Sequence, residues 1–346
     1  MSLPALFGST AALQQAFADG LHRMLREHDG LGVYILALAN AANEPELWSR
    51  LRAPLTERHH HHAARITSAL RQGRPVNEPE DDLLVFLKLL ALGFEHLRLT
   101  EYRQAGPWEI QDNPLRALRP ARASAARIEG LRQPFNPEGF HFDKPFLARE
   151  ILWQGELLGA QVALFYNKFP FAPLHGLLVP EKGSGLPQFL TPHWHDYAWS
   201  LTEALGDALP GFGLAYNSLG ACASVNHLHF QSFVRRTPLP LSAHAWRHNG
   251  GPQPYPVAGY RFEDKREAWA CLADLHQGQT AYNLIYLPGR LHVLPRRPQG
   301  DYRPAAWAGN HAWYELAGGV ISFNRLDYER LQAEDIEAEL RRLALS

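Results

Sequence analysis

The chain has 346 residues, a mass of 39.0 kDa and a formal net charge of −1 at pH 7. With 46% apolar and 20% charged residues it can bury a large core, which excludes global disorder, and its balanced charge offers no basic surface that would point to nucleic acid. Two cysteines, Cys222 and Cys271, are too few for a disulfide framework or a four-thiolate zinc site and fit a reducing cytoplasm.

The first twenty residues lack a basic region followed by a pure apolar run, so no signal peptide is expected. The apolar stretches Gly32 to Ala42 and Leu83 to Phe94 are too short to span a bilayer. Residues 8–105 read mostly as helices. Ser9 or Thr10 suits the N-cap of the first. Asp81 and Asp82 precede LLVFLKLLALGFEHLRL, a helix apolar on most sides and therefore buried. The run His59-His60-His61-His62 reads as a solvated patch, because consecutive helical residues point in different directions. Residues 106–148 are rich in Pro and read as an extended, wrapping connection. Trp108, Phe135, Phe140, Phe142 and Phe146 along it should pin it to the folded body.

From Arg149 the pattern turns β-like. REILWQGELLGAQVALFYNKFP suggests two strands with a turn near Gln154–Gly155, and HGLLVPE a third. A helix follows Thr191–Pro192, with His193 and His195 in surface or capping roles. GFGLAYNS and NHLHFQSFVRR read as strands around the small-residue loop Leu219 to Val225. A Pro/Gly-rich stretch (238–259) leads to a helix near 264–276, the strands YNLIYLP, RLHVLPRR and GGVISFN, and a C-terminal helix marked by Asp335. The segments 161–181 and 281–297 echo each other coarsely. The pattern predicts an α+β fold with a mostly antiparallel sheet spanning 149–235, extended or mirrored by 281–325. The expected organisation is a helical region (1–105), the connection (106–148), a catalytic half (149–236) and a second half with a C-terminal helix (237–346).

The sharpest chemistry lies in Asn226-His227-Leu228-His229-Phe230-Gln231. In a strand, His227, His229 and Gln231 share one face while Leu228 and Phe230 point to the core. Three such polar groups in a row are costly to bury without purpose. A neutral imidazole is a capable nucleophile toward phosphorus. Just upstream, the small residues around Gly220 let backbone N–H groups approach an anion, and Ser218 and Ser224 add hydroxyl donors. Basic residues number 29 Arg against 5 Lys; guanidinium forks suit phosphate, and GC-rich coding produces the same bias. Arg116, Arg119 and Arg122 could cover acceptor phosphates, as could Arg290, Arg296 and Arg297; each group also reads as a solvated basic face.

YNSLGACASVNHLHFQSF resembles the histidine triad superfamily, whose pattern is a strand with Asn, a small-residue phosphate loop, then His-φ-His-φ-His or Gln. VALFYNKFPFAPLHGLLVPE is similar to the family's strand pair, in which Asn167 sits near the nucleotide and His175-Gly176 opens the second strand. Gln231 at the third position resembles the transferase and phosphorylase branch. PFNPEGFHFDK (134–144) is similar to the lead-in of GDP-hexose phosphorylases, and residues 282–297 and 310–323 to the degenerate second half-repeat of these and of dinucleoside polyphosphate phosphorylases. The resemblance covers roughly 107–325.

It implies a two-step transfer. His229 attacks the α-phosphorus of a nucleoside diphosphate sugar or dinucleoside polyphosphate, and an acceptor, inorganic phosphate or a sugar phosphate, takes the nucleotide. His227 orients the nucleophile through the backbone. Gln231 donates to a non-bridging oxygen and cannot titrate. Asn167 and Asn217 hold ribose and phosphate, and Lys168 is either a phosphate contact or a solvated strand end. No cofactor and no catalytic metal are expected, nor a nucleic-acid or membrane partner; a homodimer is compatible with this reading. A hydrolase of the same superfamily, and an idle nucleotide-binding protein, are the alternatives. The nucleophile requires one ring nitrogen of His229 to be free and the other held by a backbone carbonyl.

Overall fold

The computed structural model describes residues 3–119, 130–309 and 311–345. Four helices open the chain: α1 (Thr10–Glu27), α2 (Leu31–Asn43), α3 (Pro45–Arg71) and α4 (Glu80–Leu92). Ser9 caps α1 by accepting from the Ala12 N–H. Helix α2 is apolar all round and buried along its whole length, as expected for the centre of a helical layer. Helix α4 stops at Gly93, whose φ of 85° ends it well before Leu99. Among the described residues no helix is long and apolar enough to cross a membrane.

The histidine run is not uniformly solvated. His59 and His62 lie three apart on one face of α3 and are buried against Tyr34 and Phe86, while His60 and His61 face outward. His195 is likewise buried rather than at the surface, between the Tyr286 hydroxyl (2.9 Å) and the Lys265 carbonyl (2.9 Å).

The connection starts with a hairpin, not an extended strap. Strands β1 (Glu101–Ala105) and β2 (Trp108–Asp112) pair antiparallel across Gly106, and the short helix α5 (Pro114–Ala117) follows. Then come β3 (Ile151–Leu157), β4 (Ala160–Tyr166), β5 (Gly176–Pro180), α6 (Pro192–Gly206), β6 (Phe212–Asn217), β7 (Phe230–Val234), β8 (Tyr260–Phe262), α7 (Lys265–Gln277), β9 (Tyr282–Leu287), β10 (Arg290–Pro295), α8 (Trp313–Leu316), β11 (Gly319–Ser322), α9 (Arg325–Arg330) and α10 (Ala333–Arg341). The β3–β4 turn is at Leu158–Gly159, four residues beyond Gln154–Gly155. Both turn residues have positive φ, the two-residue turn that matches strand twist.

Eight strands form one antiparallel sheet in the order β3-β4-β5-β7-β6-β9-β10-β8. The fold is α+β, as the pattern predicts. Strand β11 departs from the predicted sheet. It pairs in parallel with β2 in a separate three-stranded sheet.

One face of the large sheet carries α1, α2, α6 and α7 in a single apolar cluster. The other packs Ala215, Phe233, Ile285 and Leu294 against Trp246, Trp313 and the small sheet. A buried ion pair ties the two sheets. Both carboxylate oxygens of Glu109 on β2 accept from Arg235 Nη2 (3.0 and 2.8 Å), and Glu109 Oε1 accepts from Tyr314 Oη (2.5 Å). Neither charged side chain is more than 8% exposed. Removing one partner leaves the other charge uncompensated, so Glu109→Ala should cost about 3–5 kcal/mol of stability. Urea unfolding of the two proteins measures this. Glu109→Gln should lose less, because it keeps an acceptor for Tyr314.

Candidate active site

The H-x-H-x-Q run crosses the start of β7. The ladder begins at Phe230; in its lead-in His229 lies just before it and His227 in the preceding bend, so the predicted strand does not reach back to His227. Leu228 and Phe230 are fully buried in the helix-side core, so His229 and Gln231 take the opposite face. Gln188, on the loop before α6, holds this lead-in. Its Oε1 accepts the His229 N–H (2.9 Å), and its Nε2 donates to the carbonyls of Asn217 (3.0 Å) and His229 (3.3 Å). Its own N–H donates to Asn226 Oδ1.

His229 donates from Nδ1 to the carbonyl of His227 (2.8 Å). That bond fixes the tautomer and leaves the Nε2 lone pair without a partner among the described residues. Burial pushes the imidazole down to about 4, so at neutral pH the ring is uncharged. The Phe142 ring flanks it at 5.1 Å. His227 Nδ1 accepts the Phe142 N–H (3.1 Å), which fastens residues 134–144 beside His229.

Gln231 is oriented by its neighbours. Its Oε1 accepts from Trp313 Nε1 (2.8 Å) and from His175 Nε2 (3.0 Å). The tautomer of His175 is set by its Nδ1, which accepts the Phe171 N–H (3.3 Å); burial holds this ring at about 3. With the oxygen occupied, the Gln231 amide presents its NH2 to the site, where it has no partner among the described residues. Asn217 repeats the device. Its Oδ1 accepts from Asn283 Nδ2 (2.7 Å) and the Trp313 N–H (3.1 Å), leaving its NH2 free among the described residues.

The other candidate residues fall into three groups. Asn167 lies beside His175 (3.3 Å) and caps its turn by accepting the Phe169 N–H. In the small-residue loop, Gly220 has φ 80° and Ser224 is exposed, while Ser218 ties the loop to β9: its hydroxyl accepts the Tyr282 N–H and donates to the Leu219 carbonyl. Arg116 lies behind the site, donating to the Phe169 carbonyl (2.8 Å) with its guanidinium 4.4 Å from the Phe171 ring. Arg119 stacks near Phe169, and Arg122 lies outside the described residues.

Two residues are engaged elsewhere and a third lies apart. Lys168 pairs with Asp82 of α4 (2.5 Å). Arg296 is fully buried, with its donors on the carbonyls of Arg297 and His311 and on Tyr302 Oη. Arg290 lies on β10, three strands from Gln231.

His141, Asp143 and His227 bring one ligand-capable atom each within 4.8 Å of one another, and among the described residues they are the group that could hold a metal ion. His141 is bonded through both nitrogens, Nδ1 to the Asp143 N–H and Nε2 to the Pro137 carbonyl, whereas His227 is bonded through Nδ1 alone and its Nε2 is buried without a partner among the described residues.

Three site residues escaped the sequence reading. Gln188 carries no local pattern. Trp313 was seen only as part of a similar segment. Asn283 had a signal: Ala-Tyr-Asn occurs at 215–217 and again at 281–283, and the two Asn face each other across β6 and β9.

Residues 109–233 match the family model described as "GDPGP1-like, N-terminal domain". Over this stretch the chain is similar to GDP-hexose phosphorylases. It is 37% identical over 122 residues to GDP-D-glucose phosphorylase 1 of Macaca fascicularis, covering 33% of this chain and 31% of that protein. It is 33% identical over 136 residues to GDP-L-galactose phosphorylase 1 of Arabidopsis thaliana, covering 35% and 30%. The matches thus span about a third of these relatives. The fold is similar to that of yeast Ap4A phosphorylase Apa2 in complex with Ap4A, with TM-score 0.50, 18% identity, and 78% and 99% of the two chains covered.

The buried rings have a measurable consequence. His175 and His229 both hold their imidazoles below the ordinary value of 6.5. Below that value the unfolded rings take protons that the folded ones refuse, so stability falls as pH drops from 6.5 toward 4. Nitrogen-15 shifts of labelled histidine should show His229 as the Nδ1–H tautomer down to about pH 5. A ring titrating near 6.5 would contradict the burial argument.

Proposed function

We propose that the chain is a nucleotidyltransferase of the phosphorylase type that cleaves a GDP-hexose with inorganic phosphate through a nucleotidyl-histidine at His229. The observation that carries this is the paired orientation of His229 and Gln231: a free Nε2 lone pair beside an amide whose oxygen is already bound twice. The relatives named GDP-D-glucose and GDP-L-galactose phosphorylase support the substrate class.

In the first step His229 Nε2 attacks the α-phosphorus. The bond from that phosphorus to the bridging oxygen breaks, and hexose 1-phosphate leaves with the electron pair. The Nδ1 proton stays on the ring, hydrogen-bonded to the His227 carbonyl, and Nε2 attacks through its own lone pair, so the attacking ring needs no base. In the second step an oxygen of inorganic phosphate attacks the same phosphorus, the N–P bond breaks, and GDP departs with His229 regenerated. The NH2 groups of Gln231 and Asn217 donate to the non-bridging oxygens as charge builds on them. Backbone N–H groups of Ser224 and Val225, which have no partner among the described residues, suit the adjoining phosphate. Gln231 offers no titrating proton, which favours transfer to phosphate over hydrolysis as the reading of the site.

Incubation with α-32P-labelled GDP-glucose should leave acid-labile, base-stable label on the protein, discharged to GDP by phosphate. His229→Ala should abolish both label and turnover while keeping the fold. Persistent turnover in that variant would remove His229 as nucleophile. Gln231→Ala should lose about 2–4 kcal/mol of transition-state stabilisation, the scale of one oxyanion donor. Trp313→Phe keeps an aromatic ring but frees the Gln231 amide to rotate. Its kcat should fall about fivefold, for about 1 kcal/mol lost, with KM changed less. An unchanged kcat would show that Trp313 does not orient Gln231.

A further inference from the structure

Both ring nitrogens of His292 are buried without a hydrogen-bond partner, in a side chain only 1% exposed. A neutral imidazole carries one donor and one acceptor, and burying both unpaired is unfavourable. His292 is not alone. Nε of Arg261 and Nε of Arg290 are also buried and unpartnered. The ladder places the three together: Arg261 on β8 stands opposite His292 on β10, and Arg290 precedes His292 by two residues on the same face. The His248 ring lies 5.7 Å from that of His292, with its Nε2 bonded to the Leu241 carbonyl. The carboxylate beside them, Glu263, pairs with Arg261 Nη2 and is itself 68% exposed.

We propose that Arg261, Arg290 and His292 form a second oxyanion site at the β8–β10 edge, which takes the phosphate group of inorganic phosphate or of a hexose phosphate. Each contributes an N–H donor, and two guanidinium charges balance a dianion. The same charges disfavour a metal cation on His292. Burial, helped by the charges of His248, Arg290 and Arg261, pushes the ring down to about 3, so it meets the ligand as a neutral donor. His292 stands opposite Ile285, Ile285 opposite Ala215, and Ala215 opposite Gln231. Three strand spacings separate it from Gln231, about 14 Å, too far for its ligand to reach phosphorus at His229. Under the reaction proposed above, both ligands are species of that reaction, so the site would sense acceptor or product; its binding chemistry stands without that reading.

Crystals of the full chain soaked in sodium tungstate should show an anomalous peak within hydrogen-bond reach of Arg261 Nε and Arg290 Nε. In solution, calorimetric titration of inorganic phosphate should reveal a binding event that His229→Ala retains and the double variant R261Q/R290Q weakens at least tenfold. Arg290→Gln alone, at the start of its strand, repeats the test if the double variant does not fold. Tighter binding of glucose 1-phosphate than of inorganic phosphate would support a sugar phosphate as the source, and the reverse order free phosphate. Water alone at His292 after the soak, an adventitious ion only, seen at crystal concentration and absent in solution, or equal phosphate binding by the double variant would each overturn the proposal. A chain that binds phosphate here yet is inert toward GDP-hexoses would sink the proposed activity and leave this site standing.

Discussion

Oε1 of Gln231 accepts two hydrogen bonds, one from the turn before β5 through His175 and one from α8 through Trp313. A carboxamide has one oxygen and one NH2, so spending the oxygen on both neighbours decides which way the donor points. Each neighbour is fixed in turn. Trp313 stacks on Phe233 at 5.0 Å with an interplanar angle of 12°, and its backbone N–H is held by Asn217. His175 is held by the Phe171 N–H and packed edge-on against that ring at 4.4 Å. Orientation at the site is therefore a property of both halves of the chain, because neither half alone supplies both donors.

The N-terminal helices act on the same network from behind. The turn between β4 and β5 carries His175 and is pinned by α2 and its C-terminal end at three points. Asn40 donates to the Asn167 carbonyl (2.9 Å), Asn43 to the Ala172 carbonyl (3.0 Å), and Glu44 accepts the Leu174 N–H (2.7 Å). Leu174 has φ 49°, a conformation that a bulky residue keeps only where its surroundings demand it. The Lys168–Asp82 pair adds a contact from α4. These helices lie outside the stretch matched by the family model, yet they buttress a turn inside it. Their side chains reach the site through His175, not by lining it.

The strands and most helices were legible because period-2 and period-3.6 patterns are local. Caps at Ser9, Thr191 and Asp264 could be read or bracketed for the same reason. The H-x-H-x-Q run and the small-residue loop before it were legible because their residues lie close together in sequence. What escaped depends on partners far apart in the chain. Gln188 matters only because β6 and the β7 lead-in arrive on either side of it. Lys168 resembles a phosphate contact until Asp82, 86 residues earlier, folds against it. The hairpin at 101–112 was obscured because β2 is completed by β11, more than two hundred residues on. The burial of His59 and His62 follows from helix phase, but which face of α3 meets Tyr34 is a tertiary choice.

The repeated Ala-Tyr-Asn marks a symmetric pair of strands whose flanks differ. Strands β6 and β9 form a near-symmetric pair at the sheet centre: Asn217 faces Asn283, and Tyr216 stacks on Tyr282 at 6.0 Å. Symmetry breaks one strand outward on each side. Beyond β6, the lead-in to β7 carries two histidines, and its backbone is bridged to β6 by the Gln188 side chain. Beyond β9, strand β10 follows directly from a two-residue turn at Pro288–Gly289, with no loop in which N–H groups could gather round a phosphate. Its outer face is covered by the segment carrying Trp246, His248 and Tyr255. Asn283 thus makes the symmetric bond to Asn217 but spends its NH2 on Asn217 and the Ala221 carbonyl, supporting the first half's loop. The second half keeps the scaffold of a site and applies it to hold the first half's donors in place.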